Sequence, residues 1–374
     1  MTADSDRPTD SHAPTDTVGE SSPDDEPNTG DAPVGAVGDD AARHDTADSP
    51  ATDTPTVSVV IPTHFRNERL RAALDSVAAQ TYPAIETVVV DDSGERHAES
   101  VVADFDARYL AFDENRGSNA ARSAGVEATS GEFVQLLDDD DRLRPEKLAR
   151  QVAAFDSRPE VGVVYCGMCF EDGRVVTPDP EARGEVLHRA LAFDLYPCQT
   201  TTMLLRRSAL STVFPAPERP GGDDLAYTVE LARRTEFDFV ADPLVVRGSA
   251  DGGGGGTDGE RSRGSSLGLV EGRMQLLDEY ADLYDDSPDW VRRQALVGTY
   301  LFEGRTRLAD RVWSAGAITA FARAAWLQRD AYTVGLCLAS LAGKPGIAIG
   351  SAVSDRLSPD VDAPAGTYHG PKQA

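Results

Sequence analysis

A chain of 374 residues, 40% of them hydrophobic, can bury one large core or two moderate ones, which excludes a short module held together only by disulfides or a metal. Acidic residues number 63 against 36 basic, and only Lys147, Lys344 and Lys372 are lysine, so there is no basic face for a nucleic-acid backbone. Such a surface fits a protein kept soluble at high salt, where screening removes much of the self-repulsion, better than it fits an acidic partner-binding role.

Residues 1–54 hold fourteen Asp and Glu against two Arg and lack Phe, Trp and Tyr, which predicts a disordered acidic tail. The pattern changes at "TVSVVIPTHFR". Val57–Ile61 reads as a buried strand, and Glu68–Gln80 as a helix with Leu70, Leu74 and Val77 on one face. "IETVVVDDSG" gives a second strand ending at Asp91 and Asp92 before a turn. A helical stretch near Ala98–Phe105 and the short strand "RYLAF" follow. "NRGSNAARSAGVEATSGE" then reads as a loop and a close-packing helix from about Ser118, and Phe133–Leu137 is the fourth strand. Repeated βα units of this length predict an α/β fold with a mostly parallel sheet and helices on both faces.

The block from about 160 to 250 is more mixed. "VGVVYCGMCFEDGRVV" predicts a strand, a turn and a return strand; "TTMLLRRSAL" a strand passing into a helix; "GGDDLAYTVELARR" a helix start. The expected organisation is a catalytic domain over 55–250, a Gly-rich flexible loop over 251–266, helices over 267–353 and a disordered tail over 354–374. Cys166 and Cys169 have the spacing of half a zinc site, yet no second pair follows, so reduced buried thiols are expected. No signal peptide opens the chain, which points to the cytoplasm. The apolar stretch 332–353 is broken by "GKPG" and is not expected to span a membrane. The C-terminal helices alternate Arg with Leu, Phe and Trp, leaving open both docking on the cytoplasmic membrane face and ordinary packing.

Ligands of open α/β sheets sit beyond the carboxyl ends of the strands. Three ends here are polar: Pro62 and Thr63, Asp91 and Asp92, and the run Asp138, Asp139, Asp140 and Asp141. Four adjacent carboxylates raise one another's pKa unless a cation compensates, and hard oxygen ligands favour Mg2+ or Mn2+ bridging to a diphosphate. The plainer alternative is a solvated loop before the helix begun by Pro145.

The stretches "VSVVIPTHFRNERLRAALDSVAAQTYPAIETVVVDDSG" and "NRGSNAARSAGVEATSGEFVQLLDDDDRLRPEKL" resemble the nucleotide-sugar domain of family 2 glycosyltransferases, which have the GT-A fold. The likeness covers about 56–155, loosens to about 247 and stops there. It implies Pro62 and Thr63 lining the nucleotide, Glu68 at its edge, Asp91 facing a base that is most often uracil, and Arg122 toward the diphosphate. In the pattern Leu-Asp-x-Asp-Asp, Asp138 faces the ribose and Asp140 ligates the metal directly, with Asp139 and Asp141 in support. The family's later acidic pair falls on "GGDD", making Asp224 the base that deprotonates an acceptor hydroxyl and Asp223 its neighbour. Helix N-terminal acids of purely structural use are the alternative there. Gln199 and Thr200 are weaker acceptor candidates, and His64 follows the first strand.

The implied activity is metal-assisted, inverting transfer of one sugar, most often from a UDP-sugar, to a glycan, polysaccharide precursor or polyprenyl-linked acceptor. A sugar nucleotidyltransferase needs a Gly-rich basic loop where "PTHFRNERL" stands, and a non-catalytic binding protein of the same fold is the third reading. Two departures stand out. The Gln-x-x-Arg-Trp motif of processive synthases is missing, and "VVRGSADGGGGG" replaces the histidine often found after the last core strand.

Overall fold

The computed structural model describes residues 54–155, 158–248, 266–309 and 311–348. The expected acidic tail except Thr54, the Gly-rich run except Ser266, and the tail 354–374 lie outside the described residues.

Nine strands form one sheet: β1 Val57–Thr63, β2 Ile85–Asp91, β3 Arg108–Ala111, β4 Phe133–Leu136, β5 Arg142–Leu143, β6 Val161–Phe170, β7 Val175–Val176, β8 Leu204–Arg206 and β9 Glu236–Arg247. Their order is β3-β2-β1-β4-β8-β6-β9-β5, with β7 beside β6. The first four are mutually parallel, as their continuous apolar runs and intervening helices predict. Register sets Thr63 opposite Asp91 and Val60 opposite Leu136, so the polar strand ends share one rim. Beyond β4 the sheet is mixed: β8 runs antiparallel to both β4 and β6, while β9 returns parallel to β6. The parallel expectation therefore holds for the first half.

Each face of the sheet carries its own core. Leu70, Ala73, Leu74 and Val77 of the helix Asn67–Ala78 pack on Val57, Val59 and Ile61. On the other face, Ala121 and Gly125 of the helix Ser118–Glu127 are buried, and Ala121 joins Val60, Val88 and Val90. The first helix ends at Ala78, two residues earlier than the sequence suggests, because the Gln80 side chain donates to the Ser76 and Arg144 carbonyls. The stretch expected as a helix near residues 98–105 shrinks to Glu99–Val102. All four cysteines are free thiols.

Two of the C-terminal helices complete the second core: Leu276 and Leu277 of Ser266–Glu279, and Val291 and Ala295 of Asp289–Ala309, pack into it. Ala315–Gln328 and Ala331–Ser340 make a small cluster of their own with Leu308, around Phe321 and Leu336. They leave Val312, Trp313, Trp326, Leu338 and Leu341 exposed. Among the described residues, no helix is long and apolar enough to cross a membrane.

Candidate active site

The rim begins with two aspartates that are spent on the backbone. Asp91 is fully buried; its carboxylate accepts from the Ser93 and Ala98 N–H groups at 2.9 and 2.7 Å and from the Tyr109 hydroxyl at 2.7 Å. Burial works against its charge, but these donors overcome it and hold its pKa below the ordinary value. Asp92 accepts from the Arg116 and Gly117 N–H groups at 2.6 and 2.9 Å, fixing the loop that leads into the helix Ser118–Glu127. The Asp92 carbonyl also lies 3.0 Å from His64 Nδ1. Both aspartates thus shape the loops around the rim.

The run after β4 is where like charges crowd, and arginines from three elements answer them. Asp138 takes a 2.7 Å bond from Arg122 Nη2. Asp139 accepts from Thr63 Oγ1 at 2.8 Å and from Arg66 Nη1 at 3.1 Å. Asp140 Oδ2 pairs with Arg66 at 3.2 Å and with Arg69 at 3.3 Å. Asp141 accepts from the Gly248 N–H at 3.0 Å through Oδ1. Gly248 is required here, because a Cβ at that position would lie 2.0 Å from the Asp140 carbonyl oxygen. The preceding residue, Arg247, stands where the sequence lacks the family's histidine. Burial lowers its pKa, but the fields of Asp141, Asp138 and Asp224 outweigh that and raise it overall.

These pairs sort the four carboxyls. Burial opposes ionisation of Asp138, yet Arg122 and Arg247 prevail and hold its pKa down. Burial pushes Asp139 up to about 6, against the pull of Arg66. Asp141 rises to about 7, driven by burial and by Asp138 and Asp140, with Arg247 opposing. Guanidinium groups thus compensate Asp138 and leave Asp139 and Asp141 only partly compensated.

Does the set fit a divalent ion? The donors are hard carboxylate oxygens, and Asp141 Oδ2 is buried with no hydrogen-bond partner. Among the described residues, however, no three His, Cys, Asp or Glu side chains converge on one point. The residues fit the ion as a partial set, to be completed by oxygens from a ligand.

The second acidic pair opens the helix Asp223–Ala232. Asp223 accepts from Asn119 Nδ2 at 3.0 Å, and burial raises its pKa. Asp224 accepts from the Thr200 N–H at 3.0 Å and from the Thr200 hydroxyl. Burial, then the field of Asp138, pushes it up to about 6 against Arg247 and Arg122. Asn119 is fully buried and ties the two sides together: it donates to the Pro217 carbonyl at 2.7 Å and accepts from Arg122 at 3.3 Å and from the Tyr227 hydroxyl. Arg247 donates to Gln199. Beside Asp224 opens a cavity of about 140 Å³ whose walls include Phe193, Tyr196, Gln199, Leu225, Leu269 and Arg273. Its last two wall residues come from the helix Ser266–Glu279, which lies against the loop before Asp223 so closely that a Cβ on Gly272 would sit 1.8 Å from the Gly221 carbonyl oxygen.

Of the residues singled out from sequence, Thr63, Arg122, Asp138, Asp139, Asp140 and Asp141 share one hydrogen-bonded and ion-paired rim, and Asp223 and Asp224 are linked to it through Asn119 and Arg247. Pro62 is half-buried at the end of β1, whereas Glu68 is exposed in the first turn of its helix. Arg66, Arg69, Asn119, Arg247 and Arg273 were not picked out. "HFRNER" directly after β1 and "VVRG" directly after β9 were the available signals, since strand ends face the rim.

The model of Glycosyl transferase family 2 matches residues 58–214. The succinoglycan biosynthesis protein ExoO of Rhizobium meliloti (strain 1021) is 33% identical over 138 residues, 36% of this chain and 40% of that protein. The glucosyl-dolichyl phosphate glucuronosyltransferase of Haloferax volcanii is 34% identical over 133 residues, 34% of this chain and 40% of that one. The chain thus spans well under half the length of these two relatives. Among solved structures, residues 1–349 of S. aureus TarS in complex with UDP-GlcNAc align with a TM-score of 0.52 at 17% identity, covering 82% of this chain and 93% of that one, a likeness of fold.

Proposed function

The chain belongs to glycosyl transferase family 2 through residues 58–214, and from that premise we propose that it is an inverting enzyme moving one sugar from a nucleoside diphosphate, UDP foremost, to an acceptor hydroxyl. Pro62 and Thr63 line the nucleotide with Glu68 at the edge, and Asp91, fully buried and taken up by Ser93, Ala98 and Tyr109, serves the base through the loop it organises and not by direct contact. Asp138 faces the ribose, supported by Asp139, and Arg122 adds positive charge on the diphosphate side. Asp138, Asp140 and Asp141 are the carboxylates from which a partial set for Mg2+ or Mn2+ would be drawn, completed by oxygens of the donor; when bound, the ion offsets charge on a departing diphosphate. Asp224 takes the proton of the acceptor hydroxyl, with Asp223 beside it. Since its pKa lies near 6, it is ionised at neutral pH yet more basic than an ordinary carboxylate.

The observation that carries this reading is electrostatic. Arg122 donates to Asp138 and to Asn119, and Asn119 donates to Asp223, so the two sets of acids meet in one hydrogen-bonded network, in which the charge of Asp138 also raises Asp224. The acceptor class we favour is a glycan on a polyprenyl carrier at the cytoplasmic membrane face. Support comes from the exposed Trp313, Trp326, Leu338 and Leu341, and the Haloferax relative is named for a glucosyl-dolichyl phosphate. The test is a panel of nucleotide sugars incubated with the full chain at high salt, with manganese or with EDTA. Release of nucleoside diphosphate that EDTA abolishes is the expected result. Formation of nucleoside triphosphate and sugar 1-phosphate when pyrophosphate is added would indicate nucleotidyl transfer instead, and neither binding nor turnover of any donor would refute the proposal.

A further inference from the structure

Arg273 projects from the helix Ser266–Glu279 into the wall of the cavity beside Asp224. Its Nε is buried with no hydrogen-bond partner. Its guanidinium lies 5.6 Å from the centre of the Phe193 ring and 5.1 Å from that of Phe302, so aromatic faces hold it in place without neutralising it. Burial lowers its pKa, to about 10, with no carboxylate among the described residues acting on it; the side chain stays charged at neutral pH. The contrast with its neighbours is sharp. Arg122 meets Asp138, and Arg219 makes a two-pronged bond to Glu279 of the same helix at 2.5 and 2.8 Å. In a chain with 63 acidic residues against 36 basic, an arginine left without an anion beside a cavity is a destabilising arrangement. A ligand that brings the missing anion removes that penalty.

We propose that Arg273 is the receptor for an oxyanion carried by the acceptor, so that the acceptor is a negatively charged molecule, bearing a carboxylate or a phosphodiester close to the reacting hydroxyl. This rests on the reading that the acceptor enters beside Asp224. The planar fork of the guanidinium suits two parallel bonds to such a group. Phe193, Tyr196, Leu225 and Leu269 give the cavity apolar surface for a sugar ring. A neutral acceptor would leave Nε unsatisfied, and discrimination against ligands that strand a buried polar group is steep.

The test is calorimetric titration of the full chain, without donor, with methyl β-D-glucuronide, diethyl phosphate and methyl β-D-glucoside. One of the two anionic probes is expected to bind at least about tenfold more tightly than the neutral glucoside, as a charge-assisted bond gives. Preference for the glucuronide assigns a carboxylated acceptor; preference for the phosphate assigns a phosphodiester. Arg273→Met should abolish the preference while melting at a higher temperature than the wild type, and Arg273→Lys should keep part of it. Equal affinity for charged and neutral probes in the wild type, or a preference that survives Arg273→Met, overturns the proposal. Because no donor is present, a chain that prefers the anion yet turns over no nucleotide sugar would sink the transferase reading and leave Arg273 as an anion site without the acceptor role.

Discussion

Replacing Asp224 by Asn should stop sugar transfer and, at the same time, make the protein harder to unfold. The carboxyl rises from 3.8 to about 6 on folding, chiefly because burial and the neighbouring Asp138 disfavour its charge. At ~1.4 kcal/mol per pH unit, ionising it in the folded state costs about 3 kcal/mol, and its partial contact with solvent cuts this to roughly 1–2 kcal/mol. The sign follows from linkage. Between about pH 4 and 6 the folded protein holds a proton that the unfolded chain has lost, so stability falls as pH rises through that window and stays lower above it. The Asn variant carries no such penalty and can still accept from Thr200. Urea unfolding at about pH 3.5 and 7.5 should therefore show the variant nearly equal to the wild type at the lower pH and more stable by about 1–2 kcal/mol at the higher. A parallel assay of donor turnover with acceptor should show transfer lost and donor affinity kept. If the stability gap were the same at both pH values, the burial argument would be wrong; undiminished transfer would remove Asp224 as the base.

Arg247→Met strips the counter-charge from Asp141 and Asp138, and unfolding at pH 7.5 should become easier by about 3 kcal/mol, the loss shrinking at pH 5 as the carboxyls take up protons; an equal loss at both pH values argues against it. Gly248→Ala forces a Cβ to within 2.0 Å of the Asp140 carbonyl, so the end of β9 must move and the bond to Asp141 must go. Roughly 2–3 kcal/mol of stability and a measurable share of donor affinity should be lost together. The pair Trp326→Ser and Leu338→Asp removes the two apolar side chains that are 69% and 63% exposed. Flotation with phospholipid vesicles should carry the wild type upward and leave the double variant in solution; identical flotation of both would dismiss the membrane face.

What could be read from sequence was what repeats along it. The apolar runs of β1, β2 and β4 and the small residues Ala121 and Gly125 carry their own period, and the rim followed once those strands were taken as parallel neighbours. The acidic run at the end of β4 was visible as a charge problem, but its solution was not. Arg66 and Asp139 are 73 residues apart, and Arg247 feels Asp141 only because β9 returns to the rim. Ion pairs of that kind depend on where side chains end up in space, which no local period records. Asn119 was hidden for a related reason: among the small residues of its helix it reads as filler, and its worth lies in partners contributed by Pro217, Asp223 and Tyr227.

The near-touching backbones of Gly221 and Gly272 have a practical meaning for anyone wishing to change what this protein accepts. Gly222, Asp224, Leu225, Thr228, Leu269 and Arg273 all lie downstream of the stretch 58–214 that the family model recognises. Phe193, Tyr196 and Gln199 on the same wall lie within 58–214, so the cavity is built jointly by two stretches of sequence that are fastened at one glycine junction. Exchanging the downstream stretch, with that junction preserved, therefore reshapes one wall of the cavity and must keep Arg247 and Gly248, which answer Asp138 and Asp141.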